Sequence, residues 1–166
     1  MSIRAVHNAD FDAIAAITNH YIATSAIHFG YEPVSADDLR AAWAAHPRHP
    51  YLVDERDGVV VAYAKAGVWR ERAAYAWTTE VGIYVAPDAR RGGIGLPLYV
   101  ALLDTCAAAG FHSAIAGITL PNDPSLALHA RLGFEHVGTV RDAGFKNNAW
   151  HAVAFYQKLL ASQVPS

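Results

Sequence analysis

The segment from Tyr84 to Tyr99 limits the possible folds more than any other part of the chain. It reads as the end of an apolar strand, a turn that contains Gly92, Gly93 and Gly95, and the start of a helix. Glycine allows backbone conformations that other residues avoid and lets a ligand approach the main chain. Free N–H groups and the helix dipole at such a helix start favour an anion. The segment predicts a phosphate cradle, with an ordinary strand-to-helix loop as the alternative.

Two common phosphate-binding motifs do not fit this turn. The third glycine of the dinucleotide fingerprint would fall at Leu98. A P-loop needs Gly-Lys-Ser or Gly-Lys-Thr, which does not follow here. The pattern that matches is Arg90-x-x-Gly93-x-Gly95. It resembles the pyrophosphate-binding signature of the GCN5-related N-acetyltransferases (GNAT superfamily), which bind coenzyme A.

The hydrophobic pattern predicts an α/β fold with a mixed sheet and helices on its faces. The predicted order is β-α-α-β-β-β-α-β-α-β-β, and the strand-helix-strand unit that contains the glycine turn predicts a parallel pair with a right-handed crossover. Asp57-Gly58 predicts a hairpin turn. Strands are predicted at 3–6, 51–54, 59–68, 75–85, 112–119, 134–140 and 150–158. Helices are predicted at 9–24, 35–46, 94–109 and 124–132.

Local signals also predict the helix ends and one buried helix face. Asn8, Ser35 and Asp123 are the predicted N-caps, and Gly110 and Gly133 are the predicted stops. In the helix after the glycine turn, the predicted buried face consists of Leu96, Val100, Leu103 and Ala107.

Composition excludes several classes of protein. The 53% of hydrophobic and 17% of charged residues argue against disorder, and a net charge of -2 gives no sign of nucleic-acid binding. The single Cys106 excludes an intramolecular disulfide and fits a reducing compartment. No apolar run approaches the roughly 20 residues of a membrane span. A chain of 166 residues without a signal-peptide pattern is predicted to be one cytoplasmic domain, 1–166.

Further blocks narrow the resemblance. Asn122, Ser125, Leu128 and His129, followed by Leu132-Gly133-Phe134, resemble the far wall of the coenzyme site in the same superfamily, where a tyrosine usually stands at the position of His129. Four blocks resemble the phosphinothricin N-acetyltransferases and the methionine sulfoximine/sulfone acetyltransferases: 19–25, 69–78, 120–125 and 144–151. The resemblance covers 3–159.

The resemblance implies the GNAT fold, with about seven strands, and an acetyl-CoA-dependent N-acetyltransferase. The acceptor would be the amino group of a small amino-acid-like substrate such as phosphinothricin or methionine sulfoximine or sulfone, attacking directly in a ternary complex. A homodimer is expected. A bound metal, a nucleic-acid partner and association with a membrane are not expected. Alternatives are another amine, such as a polyamine, aminoglycoside or protein N-terminus, and a coenzyme A-binding module without turnover.

Two residues are catalytic candidates. Glu80 lies in an apolar strand, where a carboxylate is costly unless it faces a cleft or has a partner. The resemblance implies that it is the general base, and desolvation would raise its pKa toward working pH. The alternative is that Glu80 lies on an edge strand and faces solvent, or that it pairs with Arg70 or Arg72. His129 would protonate the leaving thiolate or help to deprotonate the amine, although a single helical histidine is more often structural.

The coenzyme-binding candidates surround the glycine turn. The resemblance implies that turn N–H groups bind the pyrophosphate, that the preceding strand pairs with the pantetheine arm, and that one of its N–H groups polarises the thioester carbonyl. Gly82, inside that strand, indicates a bulge or a close backbone approach. The full set is Ile83, Tyr84, Val85, Arg90, Arg91, Gly92, Gly93, Ile94, Gly95, Leu96 and Asn122.

The substrate-binding candidates are Phe29, Arg70, Arg72 and Thr79. Guanidinium groups suit a carboxylate, phosphinate or sulfoximine, though either arginine has Glu71 or solvent as an alternative partner. The phosphinothricin enzymes have Lys where this chain has Arg70, and they differ at 29–31, so the herbicide itself is left open. The nine histidines show no HExxH or Cys-paired metal spacing, and Cys106 is predicted to be a buried apolar group.

Overall fold

Seven strands form one sheet in the computed structural model, which describes residues 2–160. The sheet order is β1-β2-β3-β4-β5-β7-β6, and neighbouring strands are antiparallel except the parallel pair β4 and β5. The strands are β1 (Ser2–Ala5), β2 (Tyr51–Arg56), β3 (Val59–Val68), β4 (Thr78–Val85), β5 (Ser113–Thr119), β6 (Glu135–Lys146) and β7 (Ala149–Leu159). The predicted mixed sheet and element order are confirmed. Position 1 and positions 161–166 of the predicted domain lie outside the described residues.

Helices cover both faces of the sheet. The described α-helices are α1 (Phe11–Thr24), α2 (Ala36–Ala44), α3 (Gly95–Ala108) and α4 (Asp123–Arg131). The core between the sheet and α1 and α2 is rich in aromatic rings, and a second core lies under α3 and α4. Between residues 2 and 160, no helix has both the length and the apolar character to span a membrane.

The start of α1 differs from the prediction. Residues 8–10 form a 3₁₀ turn, and α1 begins at Phe11. The N-cap position of α1 is Asp10, whose side chain makes no cap hydrogen bond to α1; its carboxylate accepts the N–H of His7 at 2.7 Å and forms an ion pair with Arg4 at 2.8 Å. Asn8 is the first residue of the 3₁₀ turn and is therefore not the N-cap of α1.

The other two predicted caps have different outcomes. Ser35 caps α2, since its hydroxyl accepts the N–H of Asp38 at 3.0 Å, as predicted. At α4 the prediction is wrong by one residue: the side chain of Asn122 accepts the N–H of Ser125 at 3.3 Å, and Asp123 is the first helical residue. Asparagine and aspartate have similar N-cap preferences, so the sequence does not determine which of the two adjacent residues is the N-cap.

The predicted buried face of α3 is largely wrong. Val100 is 41% exposed, and the buried positions are Leu98, Tyr99, Leu102, Leu103 and Cys106. Almost every position of α3 is apolar, so periodicity alone does not identify the face that packs on the sheet. The predicted end of the helix is confirmed, because Gly110 follows α3 with a φ of +87°.

Two strand boundaries also differ. Residues 73–75 form a 3₁₀ turn, and β4 starts only at Thr78. β6 continues to Lys146, six residues beyond its predicted end at Val140, through an irregular register between Val140 and Gly144. This irregularity lets the strand continue through Arg141 and Asp142 and pair again with β7 from Gly144.

The feature that positions the site is a wedge between β4 and β5. These strands pair only from Thr78 to Glu80 on β4, opposite 113–115 on β5. Beyond Glu80 they separate, although β4 continues to Val85 and β5 to Thr119. The wedge opens at the carboxyl ends of two parallel strands, which is where α/β sheets commonly bind ligands.

Candidate active site

A cavity of about 530 Å³ occupies the wedge. Its walls are 81–85 of β4, 116–118 of β5, the glycine turn at the start of α3, and one side of α4. All the predicted coenzyme-binding residues except Gly92 line it, and so does His129. Residues that are far apart in sequence thus meet around one opening.

The glycine turn presents unpaired donors to this cavity. Arg91 has a φ of +64° and Gly93 a φ of +69°, both in the left-handed region. Within residues 2–160, the N–H groups of 91–94 donate to no protein acceptor. A turn with left-handed residues and free N–H groups at a helix start forms a concave anion site. The local geometry therefore fits a phosphate, as the sequence predicted.

Arg90 is held at the mouth of the cavity by α1. Its Nε donates to the hydroxyl of Tyr21 at 3.2 Å, and its guanidinium lies 5.0 Å from the centre of that ring. The Tyr21 hydroxyl in turn donates to the carbonyl of Val85 at 2.5 Å. The remaining guanidinium N–H groups are left for a ligand. Tyr21 was not among the site residues predicted from the sequence.

One edge of β4 is open to the wedge. β4 pairs with β3 along its whole length in a regular register, so the predicted bulge at Gly82 is absent. A Cβ built on Gly82 would meet no atom within 4 Å, which leaves the close-approach interpretation open. Beyond Glu80 the other edge of β4 has no strand partner among the described residues. An extended ligand with amide groups can pair with such an edge.

Glu80 lies where the wedge closes. Its side chain is exposed and, among residues 2–160, makes no hydrogen bond or ion pair. Neighbouring protein atoms desolvate the carboxyl and raise its pKa, while the positive charges of Lys65 and Arg70 oppose the rise. β4 is an inner strand, so the edge-strand alternative for Glu80 is wrong. A carboxylate with a raised pKa and open access is suited to proton abstraction.

Lys65 is a neighbour that sequence reasoning missed. It pairs with Gly82 across β3 and β4, while Glu80 pairs with Gly67, so all four lie on the face covered by α1 and α2. Desolvation lowers the pKa of Lys65, and the charge of Glu80 opposes this. The available signal was a lysine inside an otherwise apolar strand, the same signal that identified Glu80.

His129 is buried, with 3% of its surface exposed. Its Nδ1 lies 2.7 Å from the carbonyl of Ser125 and its Nε2 lies 3.0 Å from the hydroxyl of Tyr99. A carbonyl only accepts, so Nδ1 carries the proton and Nε2 accepts from Tyr99. Burial lowers the pKa of His129. The ring is therefore neutral near pH 7, with both nitrogens bound.

Phe29 lies outside the wedge, on a loop that packs against the β6–β7 hairpin. A Cβ on Gly144 would lie 2.4 Å from the Phe29 ring, and the ring of His151 is 6.4 Å away. The hydroxyl of Tyr31, in the same loop, donates to the carbonyl of Phe145. The loop 25–34 and the hairpin thus form one wall beside the face of the sheet that carries Glu80.

The other predicted substrate residues are not brought into the wedge. Arg70 and Arg72 line a separate cavity of about 310 Å³, although the charge of Arg70 reaches Glu80. Neither arginine forms an ion pair with Glu71 in the described part of the chain. Thr79 is fully buried, and its hydroxyl donates to the carbonyl of Gly67 at 2.8 Å. Its side chain therefore stabilises the sheet and does not face a ligand.

Cys106 is a fully buried residue of α3, and burial raises the pKa of its thiol to about 12. The thiol stays protonated at neutral pH, and the prediction of a buried apolar group is confirmed. In the part of the chain that the structure describes, no group of three histidine, cysteine or acidic side chains is arranged to hold a metal ion.

Comparisons with known proteins agree with this geometry. The model of the acetyltransferase (GNAT) family matches residues 15–134. A phosphinothricin N-acetyltransferase of Streptomyces viridochromogenes is 44% identical over 162 residues, which cover 95% of this chain and 87% of that protein. An L-methionine sulfoximine/L-methionine sulfone acetyltransferase of Salmonella typhimurium is 34% identical over 159 residues, 95% of this chain and 93% of that protein.

A solved structure extends the comparison to the fold. The phosphinothricin acetyltransferase of Sinorhizobium meliloti, in complex with AcCoA, superposes with a TM-score of 0.93 at 33% identity, over 99% of this chain and 92% of that one. The resemblance drawn from the sequence motifs and the fold that it implies are confirmed.

Proposed function

The chain belongs to the acetyltransferase (GNAT) family, and we propose that it transfers the acetyl group of acetyl-CoA to the amino group of a small amino acid. The observation that carries this proposal is the wedge between β4 and β5. Free N–H groups of the glycine turn lie at its open end, and it closes at Glu80, whose carboxylate pairs with no side chain among residues 2–160. The names of the relatives support an amino-acid acceptor such as phosphinothricin or methionine sulfoximine or sulfone.

Acetyl-CoA fits the donors of the wedge. The pyrophosphate would lie on the free N–H groups of 91–94, with Arg90 at the mouth supplying positive charge. The open edge of β4 at 83–85 would pair with the amides of the pantetheine arm. The amide of Asn122 has its oxygen bound to a backbone N–H, which leaves its NH₂ for the same arm.

Glu80 would supply the base. It accepts a proton from the substrate ammonium, directly or through water, and frees the nitrogen lone pair. The nitrogen attacks the thioester carbonyl carbon, an N–H of the open β4 edge stabilises the oxyanion, and the C–S bond breaks. The attacking nitrogen loses its second proton to the departing thiolate, directly or through water, which leaves the amide and the free thiol, and Glu80 returns the first proton to solvent. Both substrates are bound together, so the transfer is direct and needs no acyl-enzyme.

His129 fits a lining role better than an acidic one. A neutral ring with Nδ1–H on a carbonyl and Nε2 on Tyr99 has no free N–H to give to the thiolate. We propose that this pair forms the wall of the wedge on the α4 side and holds it in shape.

The test is release of free thiol from acetyl-CoA with a panel of acceptors: L-methionine sulfone, L-methionine sulfoximine, phosphinothricin, spermidine, an aminoglycoside and a peptide with a free N-terminus. We expect turnover with one or more of the amino acids and much slower turnover with the others. Turnover confined to spermidine, the aminoglycoside or the peptide would contradict the amino-acid assignment. Binding of acetyl-CoA without turnover on any acceptor would indicate a coenzyme-binding module.

We also propose a single domain that works as a homodimer in the cytoplasm. The β6–β7 hairpin at the edge of the sheet supports the dimer, since Trp150 and Phe145 are 63% and 46% exposed there. The free, buried thiol of Cys106 fits a reducing compartment.

A further inference from the structure

We propose that Lys65 binds the α-carboxylate of the acceptor while Glu80 receives its amine, so that the two side chains together select zwitterionic α-amino acids. This inference rests on the proposed function, because it places the acceptor amine at Glu80. Lys65 would be a specificity-determining residue that lies outside the sequence motifs. Together with Glu80 on the neighbouring strand, it would determine which class of substrate the protein accepts.

The register of the sheet places the two charges on one surface. Lys65 lies opposite Gly82, and Glu80 is two residues from Gly82 on the same strand. Residues opposite each other in an antiparallel pair point to the same face, and diagonal neighbours lie roughly 7–8 Å apart. Gly82 has no side chain to separate Lys65 from Glu80, and the space above it is open. The two charged groups therefore lie on the same face of the sheet, beside the open space above Gly82.

Both charges are available to a ligand. In residues 2–160 Lys65 makes no hydrogen bond or ion pair, and it does not pair with Glu80. Lys146 adds a second positive charge nearby, but its ammonium already donates to the carbonyls of Ile22 at 2.7 Å and His28 at 2.6 Å. Lys146 is thus part of the wall, and Lys65 is the lysine that is free to bind an anion.

The spacing fits an α-amino acid. Its ammonium and carboxylate are attached to the same carbon, so a molecule between Glu80 and Lys65 can reach both with one hydrogen bond on each side. A side-chain acid lies farther from the amine and would pass beyond Lys65. Arg70 and Arg72 line a separate cavity that neither Lys65 nor Glu80 borders, although the charge of Arg70 reaches Glu80.

The electrostatics support the same assignment. Lys65 and His28 both have lowered pKa values, for which desolvation is the main cause, and the positive charges of Lys65 and Lys146 add to the effect on His28. A partly desolvated cluster with more positive than negative charge gains stability when an anion enters. A carboxylate between Lys65 and His28 would supply that anion.

The experiment compares Lys65→Met with Lys65→Arg and with the control Lys158→Met, which removes a lysine from β7. Two acceptors differ only in the carboxylate: L-methionine sulfone and its decarboxylated analogue, 3-(methylsulfonyl)propylamine. Each variant is measured on its own pH plateau, because removing the charge of Lys65 raises the pKa of Glu80. We expect Lys65→Met to raise the KM for L-methionine sulfone roughly 10- to 100-fold, the loss of a charge-assisted hydrogen bond.

The same change should leave the KM values for the analogue and for acetyl-CoA within about twofold of wild type. Lys65→Arg should recover part of the affinity, and Lys158→Met should behave as wild type. Equal effects of Lys65→Met on both acceptors, or no effect on L-methionine sulfone, would overturn the inference.

A binding measurement separates this inference from the proposed function. Calorimetry of L-methionine sulfone with protein saturated with coenzyme A requires no turnover. Weaker binding to Lys65→Met than to wild type, in a protein that transfers no acetyl group, would support the carboxylate site and contradict the transferase. Turnover by wild type with an unchanged KM in Lys65→Met would support the transferase and contradict the carboxylate site. No binding to wild type would overturn the inference.

Discussion

Glu80 shows how two opposing influences on one side chain prepare it for proton transfer. Desolvation raises its pKa, and the charges of Lys65 and Arg70 lower it. The first effect is larger, so the carboxyl is a stronger proton acceptor than an ordinary glutamate, while the cations limit the rise of its pKa. A base that is both ionised and basic near working pH is the most effective one.

Replacing Glu80 by Gln should lower kcat by roughly 10²–10⁴-fold, because the amide accepts no proton from the amine. In wild type, kcat/KM should fall as pH drops through a pKa above that of an ordinary glutamate, since protonation inactivates the base. This acidic limb should be absent from the residual activity of Glu80→Gln. The KM for acetyl-CoA is the control and should not change. Near wild-type turnover across the pH range would remove Glu80 from the mechanism.

At the scale of residues, the sequence identifies candidate site residues when a charged side chain stands in an apolar segment. Glu80 was identifiable because a carboxylate in an apolar strand needs a reason. Lys65 gave the same signal and was missed, because only the register of β3 and β4 shows that it lies beside Glu80. Thr79 was wrongly predicted to bind substrate. Successive side chains of a strand point to opposite faces of the sheet, so Thr79, next to Glu80 in sequence, points away from it.

The element that defines the coenzyme site is the turn between β4 and α3. Gly93 has a φ of +69°, and a Cβ there would meet no atom within 4 Å. Gly93→Ala therefore costs backbone strain of about 1–2 kcal/mol without a clash. The strained turn is expected to shift its free N–H groups and raise the KM for acetyl-CoA about 5- to 30-fold, with little effect on the acceptor KM.

Gly58→Ala is the matched control for this change. Gly58 has a φ of +79° and the same open surroundings, but it lies in the β2–β3 hairpin. Both variants should lose a similar free energy of unfolding in urea, and only Gly93→Ala should weaken coenzyme binding. An equal rise of the acetyl-CoA KM in both variants would mean that general destabilisation, and not the turn, controls binding.

At the scale of elements, the sequence predicted what local chemistry determines. The Asp57-Gly58 turn, the Ser35 cap and the stop at Gly110 follow from a few adjacent residues, and all three are present. The buried face of α3 depends on how the helix packs on the sheet, and the length of β6 depends on its pairing with β7. A mostly apolar helix and a strand with an irregular register do not carry that information locally.

At the scale of the whole molecule, the wedge could not be derived from the sequence pattern. Apolar runs predicted β4 and β5 as neighbours, but nothing local indicates that their pairing stops at Glu80. The resemblance to coenzyme A-binding proteins implied that the strand before the glycine turn pairs with the pantetheine arm. The site exists because β4 and β5 stop pairing beyond Glu80, and this is a property of the assembled sheet that no single segment encodes.

The β6–β7 hairpin at the edge of the sheet supports the last prediction, which concerns assembly. Its exposed apolar side chains include Val140, Phe145 and Trp150, with the rings of the last two 5.1 Å apart. The hairpin also carries Gly144, on which the Phe29 loop packs. An edge strand with an exposed apolar surface is usually covered by a partner, and here we expect a second copy of the chain.

Sedimentation equilibrium should therefore give the mass of two chains for wild type. Trp150→Asp places a charge in the proposed interface and should shift the mass toward one chain. Val59→Asp is the matched control, because Val59 is 60% exposed against 63% for Trp150 but lies at the start of β3. The acceptor KM should rise with dissociation, since the hairpin supports the Phe29 loop, while the KM for acetyl-CoA should not. A wild-type monomer, or a dimer that persists in Trp150→Asp and dissociates in Val59→Asp, would place any interface elsewhere.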